Sequence, residues 1–235
     1  MKILNLFAGL GGNRRTWSNH HVTSVEIDSN ICNLYQELYP NDIIINDDVF
    51  NFLRNKENNI NQYDFIWASP PCQTHSHMQI FTRHNKKLQP IPKLDQIIGL
   101  AIWLQRNYKG KYVIENVIPW YGIIPLDQYN LRNMVLDRHI FYSNFLIRKK
   151  EFISRGSKGH GKIGGLMRMN LNQLLEYHAI PLEIGPKLFG LQETGHDHLK
   201  ILRNCCNYKL GEYILGELEN NKEKNHKQAK LIIEK

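Results

Sequence analysis

Two side chains in this sequence of 235 residues stand where reactive groups stand. The first is Cys72 in "FIWASPPCQTHS" (65–76), where an apolar run breaks into Pro70, Pro71, Cys72 and Gln73. The two prolines fix φ and remove two backbone donors, which holds the thiol in a set direction. A thiolate is a strong nucleophile. The second is Glu115, followed by Asn116, closing the apolar run "YVIENV" (112–117). A carboxyl held at a fixed point can support charge that develops on a bound ligand. Ligands of open parallel sheets bind beyond the carboxyl ends of their strands. The thiol and the carboxyl are therefore expected to face one crevice.

The elements that must position them follow from the apolar pattern. Strands are predicted at 2–7, 22–28, 42–46, 63–68 and 111–117, and helices at 30–39, 94–107 and from 209 to the end. Near-continuous apolar strands alternating with helices predict an α/β fold with a doubly wound, mostly parallel sheet covered on both faces. Beyond residue 117 the pattern fades. "DRHIFYSNFLI" (137–147) reads as a β-hairpin, and 148–168 reads as loops with little core.

"LNLFAGLGG" places Gly9, Gly11 and Gly12 just after the first strand. Glycines there let a ligand approach the backbone, and the helix that follows offers free N–H groups. A dinucleotide fingerprint needs a third glycine where Arg14 stands, which argues against a nicotinamide cofactor. Glu26 ends the second strand, where an acid can bind a ribose hydroxyl pair. Asp48 follows the third strand, where it can accept from an adenine amino group. The alternative for both acids is helix capping.

Composition narrows the classes. No apolar run reaches the roughly 20 residues that span a membrane. The opening "MKILNLFAGLGG" has a short apolar part and no A-x-A site, so a signal peptide is not expected. Cys32, Cys72, Cys205 and Cys206 form no C-x-x-C, and the histidines show no zinc-ligand spacing with them. No metal is expected, and a reducing, cytoplasmic setting is. Residues 1–80 carry net charge −3, 81–150 carry +8 and 151–235 carry +3, giving +8 overall. Such asymmetry fits a polyanionic partner for the later part of the chain, or ordinary solvated surface.

Together the pieces "NLFAGLGG", "VEID", "NDDV", "ASPPCQTHS" and "VIENV", in this order, resemble the cytosine-C5 methyltransferases. The resemblance implies a class I, Rossmann-like fold and S-adenosylmethionine as cofactor. It implies that Phe7, Ala8, Gly9, Gly11, Gly12, Glu26, Ile27, Asp48, Val49, Ser69 and Pro70 surround that cofactor. It further implies that Cys72 adds to C6 of cytosine, that Glu115 acts at N3, that Asn116 holds the loop of Cys72, and that Gln73 and Arg138 belong to the same site. The chemistry agrees with the residues. Thiolate addition at C6 turns C5 into an enamine-like carbon able to take a methyl group, and loss of the C5 proton and the thiol restores the ring. A base stacked in a duplex cannot reach such a crevice and must be flipped out.

Further along, the family's R-x-R has Arg138 at its first position and Ile140 at its second. "GPKLFGLQETGHDH" (185–198) resembles a late family motif, and Asn207 in "LRNCCNYKLGEYI" stands as a counterpart of the asparagine in G-N-x-V. The implied organisation is a catalytic domain at 1–142, a small recognition lobe at 143–182, a return to the catalytic domain at 183–218 and a charged helical tail at 219–235. The lobe contains 148–168, with seven Lys/Arg, one acid and five glycines. Basic groups neutralise phosphates, and glycines let backbone approach them. The expected nucleic-acid contacts are Ser76, Arg83, Arg155, Lys158, Lys162 and Arg168; the alternative for 148–168 is a charged loop. The expected substrate is duplex DNA and the expected state monomeric. The alternatives are tRNA, since the family includes members acting on it, or a catalytically silent nucleic-acid binder or subunit of a heteromer.

Overall fold

A computed structural model describes residues 1–71, 94–119, 122–152, 166–191 and 197–233. Seven strands form one sheet: β1 (Lys2–Leu6), β2 (His21–Glu26), β3 (Ile43–Asn46), β4 (Phe65–Ala68), β5 (Lys111–Val117), β6 (Arg132–Leu136) and β7 (His139–Ser143). Their order is β3-β2-β1-β4-β5-β7-β6. β1 to β5 pair in parallel, whereas β7 runs antiparallel between β5 and β6. The described helices are α1 (Ser29–Leu38), α2 (Val49–Arg54), α3 (Leu94–Asn107), α4 (Leu171–Tyr177), α5 (Ile184–Gly190), α6 (His198–Arg203) and α7 (Tyr208–Ile233). This is the doubly wound, mostly parallel sheet expected from the apolar runs. No described helix is long and apolar enough to cross a membrane.

Strand alternation divides the core. Leu4, Leu6, Ile66, Ala68, Ile114, Ile140 and Tyr142 face α2 and α3, where Phe52, Ile97, Leu100 and Leu104 cover them. Ile3, Phe65, Trp67, Val113 and Phe141 face the other way, against Trp17 and the Leu210, Ile214 and Leu218 stripe of α7. Both faces are covered, so the central strands are buried along most of their length. A third cluster joins Leu10, Ile31 and Leu34 to Leu166, Leu174, Leu175, Leu188 and Leu202. Residues 166–191 and 197–205 thus lay short helices over the glycine turn and α1. They do so with side-chain caps: Asn170 with Gln173 closes a capping box on α4, and Asp197 caps α6.

The hairpin differs from its sequence expectation. It spans β6 and β7, with Leu136 opposite His139 and only Asp137 and Arg138 between them. Asp137 takes φ 55°. A left-handed residue at a two-residue turn matches the twist of the flanking strands. Because β7 is antiparallel, it begins where β5 ends. This brings Arg138 and His139 to the rim where the parallel strands finish.

Arg14, which breaks the glycine fingerprint, is buried. Its Nε and Nη2 donate to Asp42 at 2.5 and 2.6 Å, and its guanidinium lies 4.7 Å from the Tyr39 ring centre. Tyr35 donates to the same carboxylate at 2.8 Å. The residue at this position ties the first turn to the start of β3.

Candidate active site

A cavity of about 730 Å³ opens at the carboxyl ends of β1, β2, β4 and β5. That size suits a nucleoside-sized ligand with an attached chain. One half is built by the turns after β1, β2 and β3. Phe7 takes φ 56° and Gly9 φ 52°. A left-handed non-glycine residue costs on the order of 1–3 kcal/mol. Here Phe7 is held by an edge contact with Phe50, ring centres 5.9 Å apart, and the next residue by Ala8 N–H to the Val25 carbonyl at 3.1 Å. A Cβ on Gly9 would meet nothing within 4 Å. Gly9 therefore leaves open space, and its backbone conformation favours glycine.

Glu26 knits this half together. Its Oε2 accepts from Gly9 N at 2.9 Å, and its Oε1 from Ile27 N and Asp28 N at 2.9 and 3.1 Å. Asp48 caps α2, its Oδ1 accepting from Phe50 N and Asn51 N. Both acids also line the cavity. Both capping bonds at Asp48 use Oδ1, which leaves Oδ2 outside the cap. Ile27 is 66% exposed at the mouth as an open apolar surface, while Val49 is buried beneath. Ala8, Gly12, Ser69 and Pro70 also line the cavity. Gly11 sits behind the turn. A Cβ there would lie 2.6 Å from Tyr35 and 2.7 Å from Tyr39, so its task is close packing.

The other half is polar and buried. Asn116 donates from Nδ2 to the Pro70 carbonyl at 2.8 Å, which ties the end of β5 to the segment leading into Cys72. Glu115 Oε1 lies 2.6 Å from His139 Nδ1, with the side chains 8% and 6% exposed. Cys206 brings its Sγ within 4.8 Å of both groups, and burial pushes that thiol well above its ordinary range. Arg138 lines the cavity and donates from Nη2 to the Arg203 carbonyl at 3.3 Å. Its buried Nε has no partner among the described residues. Behind it, His178 is fully buried and pushed down to about 3, first by burial and then by Arg138 and His139.

The sequence reading missed His139, which directly follows Arg138. The signal lay in the register. With Val117 opposite His139 and Glu115 opposite Phe141, these four residues share one face of the β5–β7 pair. Ile140 has the opposite orientation. It is fully buried in the core against α2 and α3 and is not a cavity residue. Also missed were Arg203, Asn204 and Cys205, which α6 and the segment after it carry over the cavity. Asn207 caps the start of α7, accepting from Lys209 N at 3.0 Å and donating to the Tyr177 carbonyl at 2.7 Å. It lines a second hollow of about 900 Å³. Arg168 is exposed in a short turn of helix at Leu166–Arg168. Cys72, Gln73, Ser76, Arg83, Arg155, Lys158 and Lys162 lie outside the described residues.

Residues 1–91 match the family model described as C-5 cytosine-specific DNA methylase. The matched stretch holds the glycine turn, Glu26, Asp48 and Cys72 and stops before Glu115. No curated protein matches the chain. Similar solved structures include a Spodoptera frugiperda DNMT2 mutant, 22% identical over 68% of this chain and 56% of that one, with a TM-score of 0.43. The methyltransferase EhMeth of Entamoeba histolytica is 14% identical over 78% of this chain and 64% of that one, with a TM-score of 0.44. A hypothetical protein of Thermus thermophilus is 16% identical over 60% of this chain and 73% of that one, with a TM-score of 0.42. The likeness to the cytosine-C5 methyltransferases read from the motifs is thus a family match over residues 1–91.

Proposed function

We propose that this protein methylates C5 of a cytosine flipped out of duplex DNA, using S-adenosylmethionine and a covalent adduct between Cys72 and C6. The observation that carries the reading is the single cavity joining the glycine turn to Glu115, with Asn116 fastening the segment that leads to Cys72. The lining fits the cofactor. Open space at Gly9, carboxylates at Glu26 and Asp48 and the bare surface of Ile27 suit an amino-acid tail, a ribose and an adenine. When bound, the cofactor supplies an electrophilic sulfonium methyl to the activated C5.

The remaining work falls to the chain itself. Cys72 adds to C6 as a thiolate and leaves when the C5 proton is lost. Electron density pushed towards N3 during addition is met by Glu115, whose buried surroundings make that interaction stronger than it would be in water. Asn116 keeps the segment of Cys72 in place through Pro70. The net charge of +8 favours a polyanionic substrate.

Methyl-labelled S-adenosylmethionine offered with duplex DNA or with tRNA tests the reading. Label in DNA, recovered as 5-methylcytosine, is the expected result. Label only in tRNA would move the substrate to RNA, and label in neither would leave a nucleic-acid binder.

A further inference from the structure

Beyond the motif residues, the site contains a second titratable group in direct contact with Glu115. We infer that His139 is the positioning residue for Glu115, and that the two share the proton that Glu115 presents to the target ring. The inference rests on the function proposed above and adds to it the source of that proton.

The geometry is specific. Glu115 and His139 approach to 2.6 Å from two hydrogen-bonded strands, β5 and β7, rather than from loops. Groups held on paired strands keep their separation better than groups on loops. Both side chains are almost wholly buried, and the contact occupies one carboxylate oxygen, Oε1. The other, Oε2, has no hydrogen bond to a described residue, and Glu115 lines the cavity. No arginine among the described residues holds this carboxylate. Ile140 lies in the opposite core, and the described bond of Arg138 goes to the Arg203 carbonyl. An arginine partner would stay charged at every working pH, whereas an imidazole can give up its proton near neutrality.

The surroundings leave the proton to the pair. From the segment before α7, Cys206 faces it as a neutral thiol, its ionisation opposed by burial. From the end of α4, His178 stays neutral for the same reason. The hairpin turn contributes one acid and one base, Asp137 and Arg138, and Arg203 at the end of α6 completes the rim. When the pair carries one extra proton, it is imidazolium with carboxylate or imidazole with carboxylic acid. As the sulfur–C6 bond forms, its electron pair displaces ring electrons towards N3, and the extra proton moves from Glu115 to N3. It returns to Glu115 when the thiolate departs. With the extra proton gone, a bare carboxylate would face a ring gaining negative charge, so turnover should fall at alkaline pH.

His139→Asn is the informative variant, because an amide nitrogen can replace Nδ1 as a donor but cannot store a proton. The expected result is a fall in kcat of about 100-fold or more, the scale of a missing general acid. S-adenosylmethionine affinity should hold within about threefold, and the alkaline limb of the kcat profile should disappear. In a Glu115→Gln background the same change should add almost nothing. An unchanged kcat profile, or a full additional loss in that background, would overturn the inference while leaving the methylation reading intact. Absence of methylation by the unaltered protein would instead overturn that reading. A separate measurement needs no activity and decides the pairing either way. The NMR signals of the His139 ring nitrogens should move when Glu115 becomes Gln, because the Nδ1 contact is lost. Unmoved signals would mean that no proton is shared. Should His139→Asn not fold, these spectra together with His139→Gln carry the test.

Discussion

The amide of Asn116 donates to the carbonyl of Pro70 across 2.8 Å of buried space, joining the ends of β5 and β4 two residues before Cys72. Removing it with Asn116→Ala leaves a buried carbonyl without a partner, at a cost of about 1–3 kcal/mol. The urea midpoint should fall accordingly. Because the bond fixes the segment that leads to the proposed nucleophile Cys72, kcat should fall further than the stability change alone implies, at unchanged cofactor affinity. Equal kcat for the variant and the parent would detach Asn116 from the reaction.

Glu26 and Asp48 each serve two masters, the backbone and the cavity. Glu26→Ala and Asp48→Ala should weaken S-adenosylmethionine binding by about 1–3 kcal/mol, the scale of a buried hydrogen bond removed from one side. Asp48→Ala should also lose the α2 cap, at about 1 kcal/mol of stability. Asp48→Asn separates the two roles, since asparagine caps as well as aspartate. Calorimetry should then show weakened binding with an unchanged melting temperature. Unchanged affinity in all three variants would remove both acids from the cofactor site.

His178 makes a pH prediction with a defined sign. Its folded-state pKa is pushed down to about 3 from an ordinary 6.5. Between those values the unfolded chain binds a proton that the folded chain refuses, so the full stability is present above pH 6.5 and is lost as pH falls. The slope attributable to this group approaches about 1.4 kcal/mol per pH unit. Unfolding free energies at pH 7.5 and 5.5 should therefore differ by roughly 1–1.5 kcal/mol more in the parent than in His178→Leu. Parallel pH profiles for the two proteins would contradict the burial argument.

What the sequence disclosed and what it hid have physical reasons. β1, β3, β4 and β5 are legible because each is a short, largely apolar run soon followed by glycine, proline or a polar residue, and β2 because Val22, Thr23 and Val25 are β-branched. β6 is hidden because Arg132–Leu136 is an edge strand, exposed at Arg132 and Asn133 and without a buried run. The turn after it has neither glycine nor Asn-Gly, so the apolar pattern puts the hairpin five residues late. α4, α5 and α6 are seven residues or fewer. Such lengths carry too few turns for a clear 3.6-residue period. At the site, Glu26, Glu115 and Asn116 can be named because each stands near the end of a recognisable strand, and Asp48 because it follows one closely. His139 cannot, because its role depends on the antiparallel register of β7 against β5. Arg203 and Cys206 arrive from more than 80 residues beyond Glu115 and carry no local mark.

The basic stretch at 148–168 gives a prediction that needs no geometry. Replacing Lys158 and Lys162 by alanine should weaken DNA binding and flatten its logarithmic salt dependence, by roughly one unit for each phosphate no longer neutralised. Cofactor affinity should stay the same. An identical salt slope would leave these lysines as solvated surface.

The most direct test asks whether Cys72 forms the adduct. Duplex DNA carrying 5-fluorocytosine at target sites offers a C5 that can accept a methyl group but cannot release a proton, so the thiol cannot leave. Incubated with the protein and S-adenosylmethionine, it should give a complex that survives denaturing electrophoresis. Cys72→Ala should give neither complex nor 5-methylcytosine, whereas Cys205→Ala and Cys206→Ala should still form the adduct. A Cys72→Ala protein that still methylates cytosine at C5 would contradict the mechanism, and a methyl group recovered on an exocyclic amine would contradict the reaction itself.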